Sequence, residues 1–102
     1  MLAAMSTEVA FFSVRPGSEE QFLAVFRDEV AALLRAGGAT QVAVYRSQVA
    51  PNRFVKTSVW PSRRARVEDF VASPHYQRFL ALMGPYLDGP PGVDDYDLTY
   101  SQ

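Results

Sequence analysis

The stretch FVKTSVWPSRRARVEDFVASPHYQRFLALMGPYL, Phe54 to Leu87, decides the fold, and it carries the chain's single Trp and single His. Phe54 to Trp60 is rich in aromatic and β-branched residues. Phe54, Lys56, Ser58 and Trp60 fall on one face and Val55, Thr57 and Val59 on the other, the period-two pattern of a strand. Pro61 cannot donate to a ladder and stops that strand, and Ser62 stands as N-cap of a helix running to Val71. A second helix start follows at once, with Ser73 as N-cap and Pro74 at the first helical position, where its missing N–H costs nothing. Tyr76, Phe79, Leu80, Met83 and Tyr86 then recur at helical spacing, which predicts one buried stripe before Gly84 and Pro85 end or kink the helix.

Upstream, Val9 to Val14 reads as a strand with apolar residues on both faces, hence one covered on both sides. Arg15, Pro16 and Gly17 turn the chain, and Ser18 with Gln21 has capping-box spacing. Phe22, Val25, Phe26, Val30, Leu33 and Leu34 then lay an apolar stripe along a helix to Arg35, which Gly37 and Gly38 terminate. Thr40 to Ser47 alternates as a strand, and Gln48 to Arg53 is a hairpin loop returning to Phe54. Downstream, Leu87 to Gly92 is a loop and Asp94 to Tyr100 the last strand, with Tyr96, Leu98 and Tyr100 opposed to Asp95, Asp97 and Thr99.

The order is β-α-β-β-α-β, an α+β, ferredoxin-like plan with helices on one side of a four-stranded antiparallel sheet. Helices cover one face only, so the apolar residues of the other predict burial against a second copy, an isologous homodimer.

With 102 residues, 48% of them apolar, the chain is expected to form one domain spanning 1–102. A net charge of −1 gives no general attraction to nucleic acid or anionic membrane. With no cysteine, disulfides, thiolate chemistry and Cys-ligated metals are excluded. No apolar run reaches the ~20 residues of a membrane helix, and MLAAMSTEVAFFSV lacks a basic n-region, so it reads as a first strand rather than a signal peptide. The expected location is the cytoplasm. Asp94, Asp95 and Asp97 do not converge on one strand face, and with a single His no dedicated metal site is expected.

The segments VRPGSEEQFLAVF, VYRS, NRFVKTSVWPS, DFVASPHYQRFLALMGPYL and PP followed by DDYDLTY together resemble, in order and spacing, the antibiotic biosynthesis monooxygenase family of dimeric α/β-barrel proteins. The resemblance runs from Val9 to Tyr100. It implies a homodimer with a pocket in each subunit between sheet and helices. It also implies oxygenation of electron-rich aromatics such as hydroquinones or anthrones, without metal or flavin. A related branch degrades haem; aligned through the Ser73 turn, its Trp and iron-ligating His fall on Phe70 and Leu80, and leucine cannot ligate iron. Many non-haem relatives carry a His near the position of Phe70, which this chain lacks.

The resemblance sets the candidates. Trp60 is either an aromatic pocket wall or a core residue at a strand end. His75 is either a general base, its ordinary pKa being near neutrality, or an exposed residue at a helix start. Tyr76 is a candidate proton donor, as are Tyr45, Tyr86, Tyr96 and Tyr100, against a core or interface role for most of them. Tyr45, Phe70, Phe79 and Met83 are the expected substrate-binding set, for a small aromatic molecule and no cofactor. Arg63, Arg64 and Arg66 read as a solvated face, or, together with Arg46, Arg53 or Lys56, as an anion-binding rim. The competing functional reading is a non-catalytic ligand-binding or accessory dimer, because no constellation of residues demands chemistry.

Overall fold

Alternating burial sets the layer structure. In the computed structural model, which describes residues 5–102, strand β1 (Ser6–Ser13) buries Ser6, Glu8, Ala10 and Phe12 on one face, and β3 (Arg53–Trp60) buries Phe54, Lys56, Ser58 and Trp60. The N-terminal reading of MLAA falls outside the described residues. With β2 (Thr40–Arg46) and β4 (Gly92–Tyr96) the strands form one sheet of order β2-β3-β1-β4, every neighbouring pair antiparallel. This is the ferredoxin-like arrangement the element order implies. β2 carries a bulge between Thr40 and Ala43, where Gln41 takes φ 50°.

Helix α1 covers the buried face over residues 19–36, as Glu19–Val25, a π-type turn Phe26–Val30, and Ala31–Ala36. Phe22, Phe26, Val30 and Leu34 carry its stripe into the core, with Phe22 edge-on to Phe12 at 5.4 Å and tilted on Phe54 at 5.1 Å. The capping box does not form. Ser18, at φ −107° and ψ 7°, makes no side-chain cap, and its N–H donates to Arg15 O at 3.0 Å, the group a capping-box Gln21 would have to reach; beside it the Gly17 N–H donates to Glu19 Oε1 at 2.8 Å. The C-terminus closes as a Schellman motif, Ala39 N–H donating to Leu34 O and Gly38 N–H to Arg35 O, with Gly38 at φ 116°.

After β3, the Ser62 hydroxyl accepts the Ala65 N–H at 3.0 Å and starts α2 (Ala65–Phe70), a π-type helix. Helix α3 (Pro74–Met83) follows, then a 3₁₀ turn Gly84–Tyr86. Ser73 is extended, as an N-cap should be, but its hydroxyl donates backwards to Phe70 O at 2.6 Å and makes no cap bond. Two strand boundaries differ from expectation. β1 begins at Ser6 rather than Val9, which brings a polar pair, Ser6 and Glu8, onto the buried face. β4 runs Gly92–Tyr96 rather than Asp94–Tyr100, because β1 offers it partners only from Thr7 to Phe11; Leu98 and Tyr100 beyond it are exposed.

Among the described residues no helix covers the opposite face of the sheet. Phe11, Tyr45 and Tyr96 project from it, 54%, 59% and 47% exposed.

Candidate functional site

A mostly apolar cavity of about 190 Å³, partly open to solvent past Leu80 and Val93, lies between the buried face of the sheet and helices α2 and α3. The π-type turn of α2 brings Phe70 over β3, and the apolar stripe of α3 brings Tyr76, Phe79 and Met83 beside it. Their rings form a continuous wall: Trp60 to Phe70 at 4.9 Å, Phe70 edge-on to Tyr76 at 5.6 Å and to Phe79 at 6.2 Å, and Tyr76 stacked on Phe79 at 6.2 Å. Gly37 makes this approach possible, since a Cβ there would come within 2.8 Å of Phe70 Cε1.

The floor is charged. Glu8 and Lys56 are both buried, with Lys56 Nζ 3.1 Å from Glu8 Oε1. Ser58 donates to the same oxygen at 3.1 Å, and Trp60 Nε1 donates to Ser58 Oγ at 2.9 Å. Arg66, from α2, grips Asp95, from β4, through two hydrogen bonds of 2.7 and 2.6 Å, and its other terminal nitrogen is 4.0 Å from Glu8. Burial of such groups is tolerable only because they are paired.

Protonation follows from this packing. Burial pushes the Lys56 ammonium below the usual lysine range, opposed by the charge and hydrogen bond of Glu8, while Arg66 adds to the lowering. The hydrogen bonds from Arg66 hold the Asp95 carboxyl below the usual carboxylate range against desolvation, with Arg63 contributing. Lys56 Nζ also lies 4.9 Å from the centroid of the Phe79 ring, so the ammonium faces the aromatic wall.

Of the residues singled out from sequence, the fold brings Trp60, Phe70, Tyr76, Phe79 and Met83 to this cavity. His75, one residue before Tyr76 on the first turn of α3, does not line it. Tyr45 lies on the uncovered face of the sheet, beside a wide open groove with Phe11, Arg46 and Arg53. Trp60 is 1% exposed, so it is both a wall and a core residue. Sequence reasoning missed Glu8, Ser58 and Asp95 as site residues; of its two readings of Arg66, a solvated face or an anion-binding rim, the first does not fit a side chain that is 15% exposed. The signal for Glu8 was present: it lies two residues before Ala10 and four before Phe12, hence on their face. Among the described residues no group of His, Cys, Asp and Glu has the proximity to hold a metal ion, and no helix is long and apolar enough to cross a membrane.

A ferredoxin-like subunit with an aromatic-walled cavity under its helices defines the class. The antibiotic biosynthesis monooxygenase family model matches residues 5–82, and the chain belongs to that family. Among solved structures it is similar to a candidate antibiotic biosynthesis monooxygenase from Bordetella bronchiseptica, with 30% identity, TM-score 0.87, and coverage of 95% of this chain and 99% of that one. It also superposes on SnoaB, a cofactor-independent oxygenase from Streptomyces nogalater, with 22% identity, TM-score 0.78, and 98% and 100% coverage. A candidate monooxygenase of the same description from Nitrosomonas europaea matches at 19% identity and TM-score 0.79, covering 98% and 95%. No curated protein matches the chain in sequence.

Proposed function

We propose that the protein is a cofactor-independent monooxygenase that uses O2 on a small aromatic substrate of the quinol or anthrone type, and that it works as a homodimer. The observation that carries this reading is the cavity itself: an aromatic wall from Trp60, Phe70, Tyr76 and Phe79 set over a buried charged floor. Family membership and the likeness to SnoaB, described as a cofactor-independent oxygenase, support it.

The reaction needs little apparatus. An activated CH2 or phenol loses a proton to give an electron-rich anion, which passes electrons to O2 and forms a C–O bond; loss of water from the resulting hydroperoxide leaves a carbonyl. For a CH2 group the balance is CH2 + O2 → C=O + H2O. The protein's share is to hold the ring, assist deprotonation and exclude water from the anion. Phe70, Phe79 and Met83 hold the ring between them, Trp60 backs it, and the Tyr76 hydroxyl is the proton donor within the wall. The uncovered sheet face, with Phe11, Tyr45 and Tyr96, is assigned to the second copy.

The test is O2 uptake by chelator-treated protein over a panel of hydroquinones and anthrones, with boiled protein as blank and catalase added. Uptake above blank that catalase does not reduce, weakened in Phe79→Ala, is the expected result. Uptake returned by catalase would mean oxidation with release of peroxide instead. Uptake at blank level, together with quenching of Trp60 fluorescence by the same compounds, would make the protein a binding dimer. Trp60→Ala is a poor probe, because emptying a fully buried indole site costs about 3–5 kcal/mol.

A further inference from the structure

We propose that Lys56 is an oxyanion-binding residue, and that the cavity takes its aromatic guest as a phenolate or enolate with the charged oxygen on the Lys56 ammonium. This deepens the reading of the same cavity and rests on it for what happens to the bound anion. An ammonium carries three N–H donors. Among the described residues Glu8 is the one hydrogen-bond acceptor found for Nζ, at 3.1 and 3.4 Å to its two oxygens. The face of Phe79 lies 4.9 Å from the nitrogen, and Lys56 itself lines the cavity, within which a donor not taken by Glu8 can meet a guest.

The buried charges balance, Glu8 and Asp95 against Lys56 and Arg66, and the exposed Arg63, 3.3 Å from Asp95, adds a positive charge from the surface, so an anionic guest meets no net negative site. The phenolic or enolic proton passes to solvent as the anion binds, so no further reactant is required. Beside a buried ammonium and an apolar lining such a charge-assisted hydrogen bond is stronger than in water, which makes the site selective for aromatics that ionise.

The groups facing Lys56 are Glu8 from β1, Arg66 from α2, and Tyr76 and Phe79 from α3, with Asp95 from β4 behind Arg66. Binding therefore strengthens as pH rises through the ionisation of the guest. It weakens again where the ammonium loses its own proton, a point that burial moves below the ordinary lysine range.

The experiment compares 4-nitrophenol with 4-nitroanisole, which cannot ionise, by quenching of the single Trp and by the absorbance that separates nitrophenol from nitrophenolate. Wild type is set against Lys56→Met, Lys56→Arg and the double variant Glu8→Gln/Lys56→Met, which removes both charges and so protects the fold if the single Met variant fails. Expected for wild type is nitrophenolate absorbance from bound ligand at a pH where free ligand is protonated, and binding about ten-fold tighter than that of nitroanisole. The double variant should lose both, and Lys56→Arg should keep the preference. Nitrophenol bound in its neutral form, a double variant that keeps the preference, or no binding of either compound by wild type would each overturn the assignment. The oxygenase reading fails separately: absent O2 uptake with the phenolate shift intact leaves the oxyanion site standing, and uptake without the shift removes it.

Discussion

Replacing Asp95 with Asn tests whether the buried charge cluster holds the site together. Asp95 ties β4 to α2 through two hydrogen bonds with Arg66, and the side chains are 8% and 15% exposed. Removing one partner of a buried pair costs about 3–5 kcal/mol when the other charge is stranded. Here the amide oxygen can still accept one bond, and Glu8 lies 4.0 Å from Arg66. The expected loss is therefore about 2 kcal/mol at neutral pH. For a chain of this length that lowers Tm by about 10 °C at fixed protomer concentration. The pH dependence has a definite sign. Arg66 depresses the folded-state pKa of Asp95, so its contribution is complete above the ordinary carboxylate range and is lost as pH falls through the depressed value. The gap between wild type and Asp95→Asn should be constant near neutrality and start to close below about pH 4 to 5. Thermal melts by circular dichroism from neutral to strongly acid pH measure it. A neutral-pH difference under about 0.5 kcal/mol, the scatter of an ordinary surface substitution, or a gap that acid leaves unchanged, would refute the reasoning.

Other perturbations separate the parts of the structure. Phe11→Glu places a charge on the uncovered sheet face and should convert the proposed dimer to monomer in size-exclusion chromatography with light scattering, while far-ultraviolet dichroism stays unchanged; a wild type that already runs as a monomer would remove the dimer from the reading. Gly37→Ala drives a methyl group against the Phe70 ring and should destabilise by about 1–3 kcal/mol in urea unfolding, with weaker ligand quenching of Trp60 because Phe70 is pushed towards the cavity. His75→Ala should leave turnover on any active substrate close to wild type, since His75 does not line the cavity; a loss of ~100-fold, the size expected for a general base, would bring it back into the mechanism.

Much of the fold was legible from local pattern. Pro61, Ser62, Ser73 and Pro74 punctuate the chain where β3, α2 and α3 meet, and the period-two alternation from Phe54 to Trp60 placed Lys56 and Ser58 on the face of Trp60. The aromatic spacing of α3 put Tyr76, Phe79 and Met83 on one stripe, and these line the cavity. Strand ends were less legible: the extent of β4 depends on where β1 offers free partners, a long-range fact that the residues Asp94 to Tyr100 do not carry. The capping box at Ser18 failed for a local reason: its N–H is already bonded to Arg15 O in the preceding turn, and its backbone, at φ −107° and ψ 7°, is not the extended conformation of a cap.

The chemistry of the floor belongs to the tertiary structure. Glu8, Lys56, Arg66 and Asp95 come from four elements, 87 residues apart between the first and the last, and although period-two parity puts Glu8 and Lys56 on core faces, nothing local in the sequence pairs the four. Tyr45 shows the converse: its residue type suits a pocket, yet the parity of β2 turns it to the uncovered face. Periodicity along the chain determines which side of an element a residue occupies, because that depends only on backbone geometry. Which charges share a buried site is decided only when the sheet and helices close over them, because desolvation makes pairing obligatory there and optional everywhere else.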